Sequence, residues 1–217
     1  VSFTTLFHMS GDSDLFHTRG DLEAEGFQLQ GNRFVRGEEV YLPLYEAKMF
    51  HQFDHRFATY ETAEDSRDVA PEEHIEAGEQ VLPRYWIRKT KVEGRNSGWL
   101  AFRDIARNTD IRTAMLSFLP PVGVGHTAPL IFVDRPLVNK LCIAASVNSF
   151  CVDYSVRQKL SGTHLTYTIL KQLPVHPPER YTPELLKYIV PRVLELTYTA
   201  WDLAAFADDV WSESSVA

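Results

Sequence analysis

The chain has 217 residues, of which 44% are hydrophobic and 24% are charged, as is ordinary for a globular domain that can bury one good core. It contains no run of about 18 uncharged apolar residues and no signal-peptide pattern near its beginning, so we expect neither a membrane partner nor secretion. The two cysteines, Cys142 and Cys151, fit neither a zinc site nor a disulfide framework, which favours free thiols and a cytoplasmic location. Because the sequence starts at Val1 without Met, we expect a segment of a longer polypeptide.

The charges are distributed unevenly along the chain. The net charge of −7 alone argues against nucleic-acid binding, because phosphate contacts need a basic surface. Residues 61–80, however, carry eight acidic side chains and one arginine, whereas residues 84–112 carry eight basic and three acidic side chains. The sequence therefore predicts an exposed acidic loop over about 61–83 and a separate basic region that could form a one-sided DNA footprint. A solvated charge pattern without a ligand is the alternative.

In chain order, the first predicted element is a short helix between Asp12 and Gly26, capped by Asp12 or by the serine after it. Two segments of alternating apolar and polar residues then flank Gly31 and Asn32, a pair that tolerates the positive φ of a hairpin turn. Extended chain is predicted over residues 41–50, ahead of the acidic loop.

Strands and then helices are predicted in the second half. The predicted strands cover 85–92, 98–105, 112–119 and 130–133, and a mobile loop covers 120–129. Apolar residues at helical spacing predict one helix over 136–160. A second helix is predicted from Thr182, its N-cap, to about residue 209, with a kink or break at Pro191. This order indicates an α+β fold with a mixed, mostly antiparallel sheet and a C-terminal helical part.

Three sequence blocks, in this order, resemble a known family. They are Tyr41-Leu-Pro-Leu-Tyr-Glu-Ala-Lys-Met-Phe-His-Gln-Phe-Asp-His-Arg-Phe57, Asn148-Ser-Phe-Cys-Val-Asp-Tyr-Ser-Val-Arg-Gln-Lys-Leu-Ser-Gly162 and Leu173-Pro-Val-His-Pro-Pro178. The chain resembles the target-recognition (specificity) domain of Type IIG-like restriction–modification enzymes, in which this region follows an adenine-specific DNA methyltransferase domain. The blocks span most of the chain.

The resemblance implies sequence-specific recognition of duplex DNA, within a restriction–modification or phage-defence adenine methyltransferase. It implies a recognition domain over residues 1–180 and a C-terminal helical segment over 181–217, which packs on that domain or on the methyltransferase domain of the same parent chain. S-adenosylmethionine would belong to the parent chain, as would Mg²⁺ if the parent also cleaves DNA. This segment lacks the methyltransferase cofactor loop and the Asn/Asp-Pro-Pro-aromatic motif, so we expect no catalytic residue, cofactor or metal in it.

Basic and aromatic residues interleave in the predicted strands, and the basic ones suit phosphate contacts or bidentate contacts to bases. Around Gly162, the resemblance adds donors at a junction that approaches the sugar-phosphate backbone. The candidate DNA-binding residues are Lys48, Arg56, Arg88, Lys89, Lys91, Arg95, Asn96, Arg103, Arg107, Arg112, Arg157, Lys159, Ser161, Thr163 and His164. Further residues in or beside turns that could reach base edges are Gln28, Gln30, Asn32, Arg33 and Asn108.

Two other functions are compatible with the residues. Glu46 and Lys48 match the Glu-x-Lys half of a metal-dependent nuclease site, with Asp21 as a second acidic residue. A protein-interaction module of the same defence system would suit the acidic balance. His51 and His55 have the i, i+4 spacing of a helical metal pair, although surface histidines are the simpler interpretation. The final helices carry a predicted apolar stripe of Trp201, Leu203, Phe206 and Val210.

Overall fold

The computed structural model describes residues 1–92 and 98–216 and has an α+β fold, as predicted. The strands are β1 (Ser2–Thr4), β2 (Gln28–Gln30), β3 (Arg33–Arg36), β4 (Glu39–Tyr45), β5 (Ala58–Tyr60), β6 (Ser66–Asp68), β7 (Tyr85–Arg88), β8 (Trp99–Phe102), β9 (Leu116–Leu119), β10 (Gly123–Val124) and β11 (Leu130–Phe132). The helices are α1 (Arg19–Ala24), α2 (Pro71–Ile75), α3 (Leu137–Val147), α4 (Phe150–Lys159), α5 (Tyr167–Leu170), α6 (Pro183–Thr197) and α7 (Ala204–Val216). Short 3-10 helices cover Ser13–Leu15, Ala47–Met49, Lys89–Lys91, Pro178–Arg180 and Trp201–Leu203.

The strands form open sheets in which antiparallel pairs dominate. One sheet has the order β1-β11-β8-β9, with every pair antiparallel. The second is built around β4, which pairs antiparallel with β3 and β7 and parallel with β10, while β2 extends it beyond β3. A small hairpin of β5 and β6 stands apart from both sheets.

The largest apolar cluster joins the first sheet to the C-terminal helices. Phe118 on β9 packs against Phe206 on α7 with ring centroids 4.5 Å apart, and α3 contacts both α6 and α7. Leu203 and Val210 are buried in the same cluster, so these members of the predicted stripe are core residues. Trp201, in contrast, is exposed. No helix within residues 1–92 and 98–216 is both long and apolar enough to cross a bilayer.

Several sequence predictions of local structure are confirmed. The hairpin turn lies at Gly31, whose φ of 61° is left-handed, between β2 and β3. The Thr182 hydroxyl accepts a hydrogen bond from the Leu185 amide at 3.4 Å and caps α6, with Pro183 as the first helical residue. Pro191, however, lies inside α6 without ending it, and the helix stops at Thr197. The predicted long final helix is thus two helices, α6 and α7.

The predicted helix over 136–160 is also two helices, α3 and α4. The break lies at Asn148, whose side chain accepts a hydrogen bond from the Leu116 amide and donates one to the Leu116 carbonyl, both at 2.9 Å. Ser149 then caps α4 through the Val152 amide. The first predicted helix is shorter than expected as well, since α1 starts after Thr18, whose hydroxyl accepts a hydrogen bond from the Asp21 amide.

Two predicted loops are structured. Residues 120–129 contain β10, which is buried against β4; a Cβ on Gly123 would lie 2.6 Å from the Ile87 Cγ2, so only glycine fits there. The acidic segment over 61–83 contains β6 and α2, and Arg67 binds both Glu61 and Glu73 within it. The predicted strands over 85–92, 98–105 and 112–119 are shorter, because β7 and β8 end early and β9 begins late.

Candidate nucleic-acid interface

The connection between β8 and β9 is held in place by side chains of α4. We call residues 103–114 the pinned loop. The Arg157 guanidinium donates hydrogen bonds to the carbonyl oxygens of Asn108 (3.1 Å), Asp110 (2.7 Å) and Ile111 (2.8 Å). One carboxylate oxygen of the buried Asp153 accepts from the amides of Thr113 (2.7 Å) and Ala114 (2.8 Å). The loop backbone is therefore fixed by the helix, although it belongs to no strand.

The segment after α4 supports the start of the pinned loop. The Ala106 amide donates to the Thr163 carbonyl at 3.1 Å, and the Leu165 amide donates to the Asp104 carbonyl at 2.7 Å. The His164 Nδ1 lies 3.0 Å from a carboxylate oxygen of Asp104. The exposed turn over residues 161–164, which contains Gly162, is thus placed beside the loop.

The tip of the pinned loop presents side chains to solvent. Arg107, Asn108 and Thr109 are exposed, and Ile111 is 94% exposed. The Arg107 amide and carbonyl bind Asp110 and Thr113 respectively, but its side chain makes no hydrogen bond or ion pair within the described part of the chain. Because backbone contacts fix the loop, these side chains can meet a ligand without first ordering the chain.

The C-terminal end of α4 adds basic side chains to this surface. Lys159 is exposed and its Nζ lies 3.3 Å from the Gln172 Oε1, while Arg157 is half-buried by its contacts with the loop. Both residues also suit the negative end of the helix dipole, so their position alone does not require a ligand. Ser161, Thr163 and His164 follow, all exposed.

Arg103 and Arg112 lie deeper than the sequence suggested. The Nε of Arg103 is buried without a hydrogen-bond partner among the described residues, and burial lowers its pKa. The Arg112 guanidinium stacks 4.1 Å above the Phe150 ring and donates to the Asn148 carbonyl at 3.2 Å. The pKa of the nearby His51 is lowered, first by burial and then by the positive charge of Arg103. Both arginines are thus only half-exposed.

The remaining candidates lie on other elements. Arg88, on β7, is paired with Glu39 at 2.9 Å and donates to the Tyr41 hydroxyl at 3.1 Å. Lys89 and Lys91 are exposed on the short 3-10 helix that follows it. The exposed Lys48 has its Nζ 5.7 Å from the Tyr60 ring centroid. Arg95 and Asn96 lie outside the described residues.

The prediction that Arg56 contacts DNA is wrong. This side chain is buried, and its guanidinium donates to four carbonyl oxygens, those of His74 (3.0 Å), Glu76 (2.9 Å), Glu79 (3.0 Å) and Thr199 (2.9 Å). It therefore ties the acidic segment to the C-terminal part of the chain.

Asn32 is equally unsuited to reading bases. It is buried in the turn between β2 and β3, where its side-chain amide donates a hydrogen bond to the Val81 carbonyl at 3.4 Å. Its backbone N–H donates to the Gln80 Oε1 at 3.1 Å, and its carbonyl accepts from the Trp86 indole at 2.8 Å. Both contacts serve the packing of the second sheet. Asn32 is consequently a structural residue.

The Glu46–Lys48 pair gains little support as a metal site. Glu46 is partly buried, its pKa is raised mainly by that burial, and its closest hydrogen-bonding partner is the Tyr60 hydroxyl at 3.4 Å. Asp21, the second acidic residue, is bound by Thr18 at the start of α1. No group of three or more His, Cys, Asp or Glu side chains within residues 1–92 and 98–216 is placed to hold a metal.

The histidine pair likewise does not form a site. His55 is fully buried, with its Nε2 2.9 Å from a carboxylate oxygen of Asp202, and the chain at His51 is not helical. The sequence did not identify Asp153, Asn148, Ile111 or Phe150 as parts of the interface. The Asn-Ser pair before α4 is an N-cap signal that could have revealed the helix break.

Comparison of the chain with protein-family models, with curated proteins and with solved structures finds no significant match.

Proposed function

We propose that this chain recognises duplex DNA, as the target-recognition domain of a restriction–modification or phage-defence adenine DNA methyltransferase. The observation that carries the proposal is the pinned loop: a segment rich in polar and basic side chains whose backbone is fixed by Arg157 and Asp153. A recognition loop benefits from such preorganisation, because little chain entropy is lost when it binds.

The exposed side chains divide naturally between phosphate and base contacts. Arg107 and Lys159 are exposed cations that can neutralise phosphates, and the hydroxyls of Ser161 and Thr163 can donate to phosphate oxygens. Asn108 is the side chain at the loop tip with the donor and acceptor pair that recognises adenine in the major groove. In the proposal, S-adenosylmethionine binding and base flipping belong to a separate methyltransferase domain of the parent chain.

The net negative charge of the chain does not oppose DNA binding by the pinned loop. The acidic segment over 61–83 is folded on itself through Arg67 and is tied to the C-terminal part of the chain by Arg56. Its negative charges are thus confined to one structured unit. Asp68 of this segment still acts electrostatically on Arg103 at the start of the pinned loop, so we assign the phosphate contacts to Arg107 and the end of α4.

The test is fluorescence-anisotropy binding of labelled random-sequence duplex DNA at about 50 and 200 mM salt, the range in which phosphate contacts reveal themselves. We expect weak binding that falls steeply with salt. An Arg107→Ala/Lys159→Ala variant should bind several-fold more weakly and show a shallower salt dependence, since each lost phosphate contact removes roughly one unit from the slope. An Arg19→Ala/Lys187→Ala variant, with the same change in net charge on other helices, is the matched control.

Equal losses in the two double variants would mean that binding follows net charge, and the pinned loop would lose its assigned role. A Lys89→Ala/Lys91→Ala variant tests the second basic group in the same way. Absence of binding by the unmodified chain at low salt would reject DNA recognition by this chain on its own.

The competing proposal is a protein-interaction module, and one observation favours it. An apolar groove of about 330 Å³ lies between α6 and α7, lined by residues that include Leu186, Val190, Pro191, Leu194 and Trp211. A protein bound there would be held by apolar burial, which salt weakens little. Salt-insensitive binding of a protein, lost in Trp211→Ala and accompanied by no DNA affinity, would select this function.

A further inference from the structure

An apolar surface lies among the basic residues of the proposed interface. Ile111, at the tip of the pinned loop, is 94% exposed, more than any other large hydrophobic side chain among the residues whose burial the structure describes. Phe150 and Tyr154, one turn apart on α4, are 80% and 65% exposed. Arg112 lies between Ile111 and Phe150. It follows Ile111 in the chain, and its guanidinium lies 4.1 Å above the Phe150 ring.

The exposure of Ile111 does not result from a loose loop. The Arg157 guanidinium binds the carbonyl oxygen of Ile111 itself, at 2.8 Å, and also that of Asp110 immediately before it. Two residues later, Asp153 binds the Thr113 amide. The Ile111 side chain is therefore held out in water by fixed backbone on both sides, where a partner that covered it would gain the free energy of burying its apolar surface.

The surrounding charges indicate the chemistry of that partner. Arg107 is exposed in the same loop as Ile111, while the half-buried Arg112 and Arg157 contact the Phe150 ring and the Ile111 carbonyl, so cationic groups adjoin the apolar side chains. A polyanion with flat apolar faces satisfies both kinds of group at once. DNA bases offer such faces when they are unstacked, and proteins that bind DNA insert isoleucine, phenylalanine and similar residues between base steps.

We infer that Ile111 enters the base stack of bound DNA, with Phe150 beside it as a stacking surface, so that the chain prefers duplexes in which a base is already unstacked. The inference rests on the proposed DNA-binding function and extends it from phosphate and edge contacts to contact with base faces. Displacing a base that lacks a pairing partner costs less free energy, so a duplex that contains such a base should bind more tightly.

The experiment compares two fluorescein-labelled duplexes of the same sequence, one fully paired and one with a single unpaired nucleotide, by anisotropy at low salt. We expect the unmodified chain to bind the second duplex about five- to tenfold more tightly, as for gain of one base-stacking contact. Ile111→Ser should bind the two duplexes equally, so that the ratio of the two affinities no longer shows the preference. Phe150→Ser should reduce the preference.

Ile75→Ser is the matched control, because Ile75 is 79% exposed and lies on α2 in the acidic segment. It should bind both duplexes as the unmodified chain does, and circular dichroism should show that all three variants are folded. Equal binding of the two duplexes by the unmodified chain, or a preference that survives Ile111→Ser, overturns the inference and leaves DNA recognition intact. Binding of neither duplex by the unmodified chain overturns both.

Discussion

Arg157, near the end of α4, donates a 2.7 Å hydrogen bond to the carbonyl oxygen of Asp110 in the pinned loop. The same nitrogen lies 3.3 Å from a carboxylate oxygen of Asp153, one turn earlier on α4, and this contact orients the side chain. A helix residue thereby determines the conformation of a loop 47 positions earlier in the chain. Planar guanidinium geometry suits this task, since several donors point in fixed directions.

The substitution Arg157→Lys should therefore loosen the loop while keeping the charge. One ammonium group cannot bridge the carbonyls of Asn108, Asp110 and Ile111, so amide hydrogen exchange over 107–112 should become about tenfold faster, the equivalent of about 1.4 kcal/mol. DNA affinity should fall with it. Lys159→Arg is the control. Unchanged hydrogen exchange in Arg157→Lys would show that the loop keeps its conformation without the hydrogen bonds from the Arg157 guanidinium.

Arg56 should prove to be a stability residue that has no part in DNA binding. In Arg56→Lys the compact ammonium cannot reach all four carbonyls that the guanidinium binds, and each buried acceptor left unpaired costs about 1–3 kcal/mol. We expect the free energy of unfolding in urea to fall by at least about 2 kcal/mol, with DNA affinity unchanged in folded protein. Arg19→Lys, on an exposed helix, should change neither quantity.

The pairing of Arg67 with Glu73 should make the acidic segment resistant to acid. The hydrogen bonds from Arg67, followed by that from the Ala70 amide, lower the pKa of Glu73 from 4.5 to about 2. Because the folded pKa is the lower one, the stabilising contribution of the ionised group is complete above pH 4.5 and is lost as the pH falls to about 2. Carboxyl carbon NMR should show this titration, and Arg67→Gln should move it back toward 4.5. Titration of Glu73 near 4.5 in the unmodified chain would contradict the contact.

His51 should titrate below 6.5, because burial and then the charge of Arg103 lower its pKa, with Arg112 contributing in the same direction and Asp54 and Asp68 opposing them. The unfolded chain takes up this proton first as the pH falls, so the contribution of neutral His51 is present above pH 6.5 and declines below it. In an NMR titration, Arg103→Gln should raise the pKa of His51 without restoring its ordinary value. Arg107→Gln should leave it unchanged, and a similar rise in both variants would contradict the assignment.

Local signals in the sequence were sufficient for elements that depend on neighbouring residues. Gly31 marks the hairpin turn because of its left-handed φ, and Thr182 caps α6 because its hydroxyl meets an amide three residues later. The division of α3 from α4 depends instead on Asn148 binding the backbone of Leu116, a contact across 32 positions. Nothing in the periodicity of residues 136–160 shows that contact.

The candidate interface shows the same division. The basic residues of 103–112 and of the end of α4 were identified from composition and from the family resemblance, and the structure brings these two groups together through Arg157. Burial could not be read from the sequence, which is why Arg56 was misplaced on the interface. The neighbouring sequence does not distinguish an arginine that binds backbone carbonyls from one that can bind a phosphate.

The register of β1 affects how the chain folds while it is being synthesised. Ser2 pairs with Phe132 and Thr4 with Leu130, so β1 leaves the ribosome well before β11 and finds its partner only after β11 has emerged. Phe3 also waits for Tyr167, which it stacks upon at 5.0 Å. Pairings between residues so far apart in sequence slow folding. Nascent chains of this protein should therefore remain open at this sheet, and accessible to chaperones, until β11 and α5 have been translated.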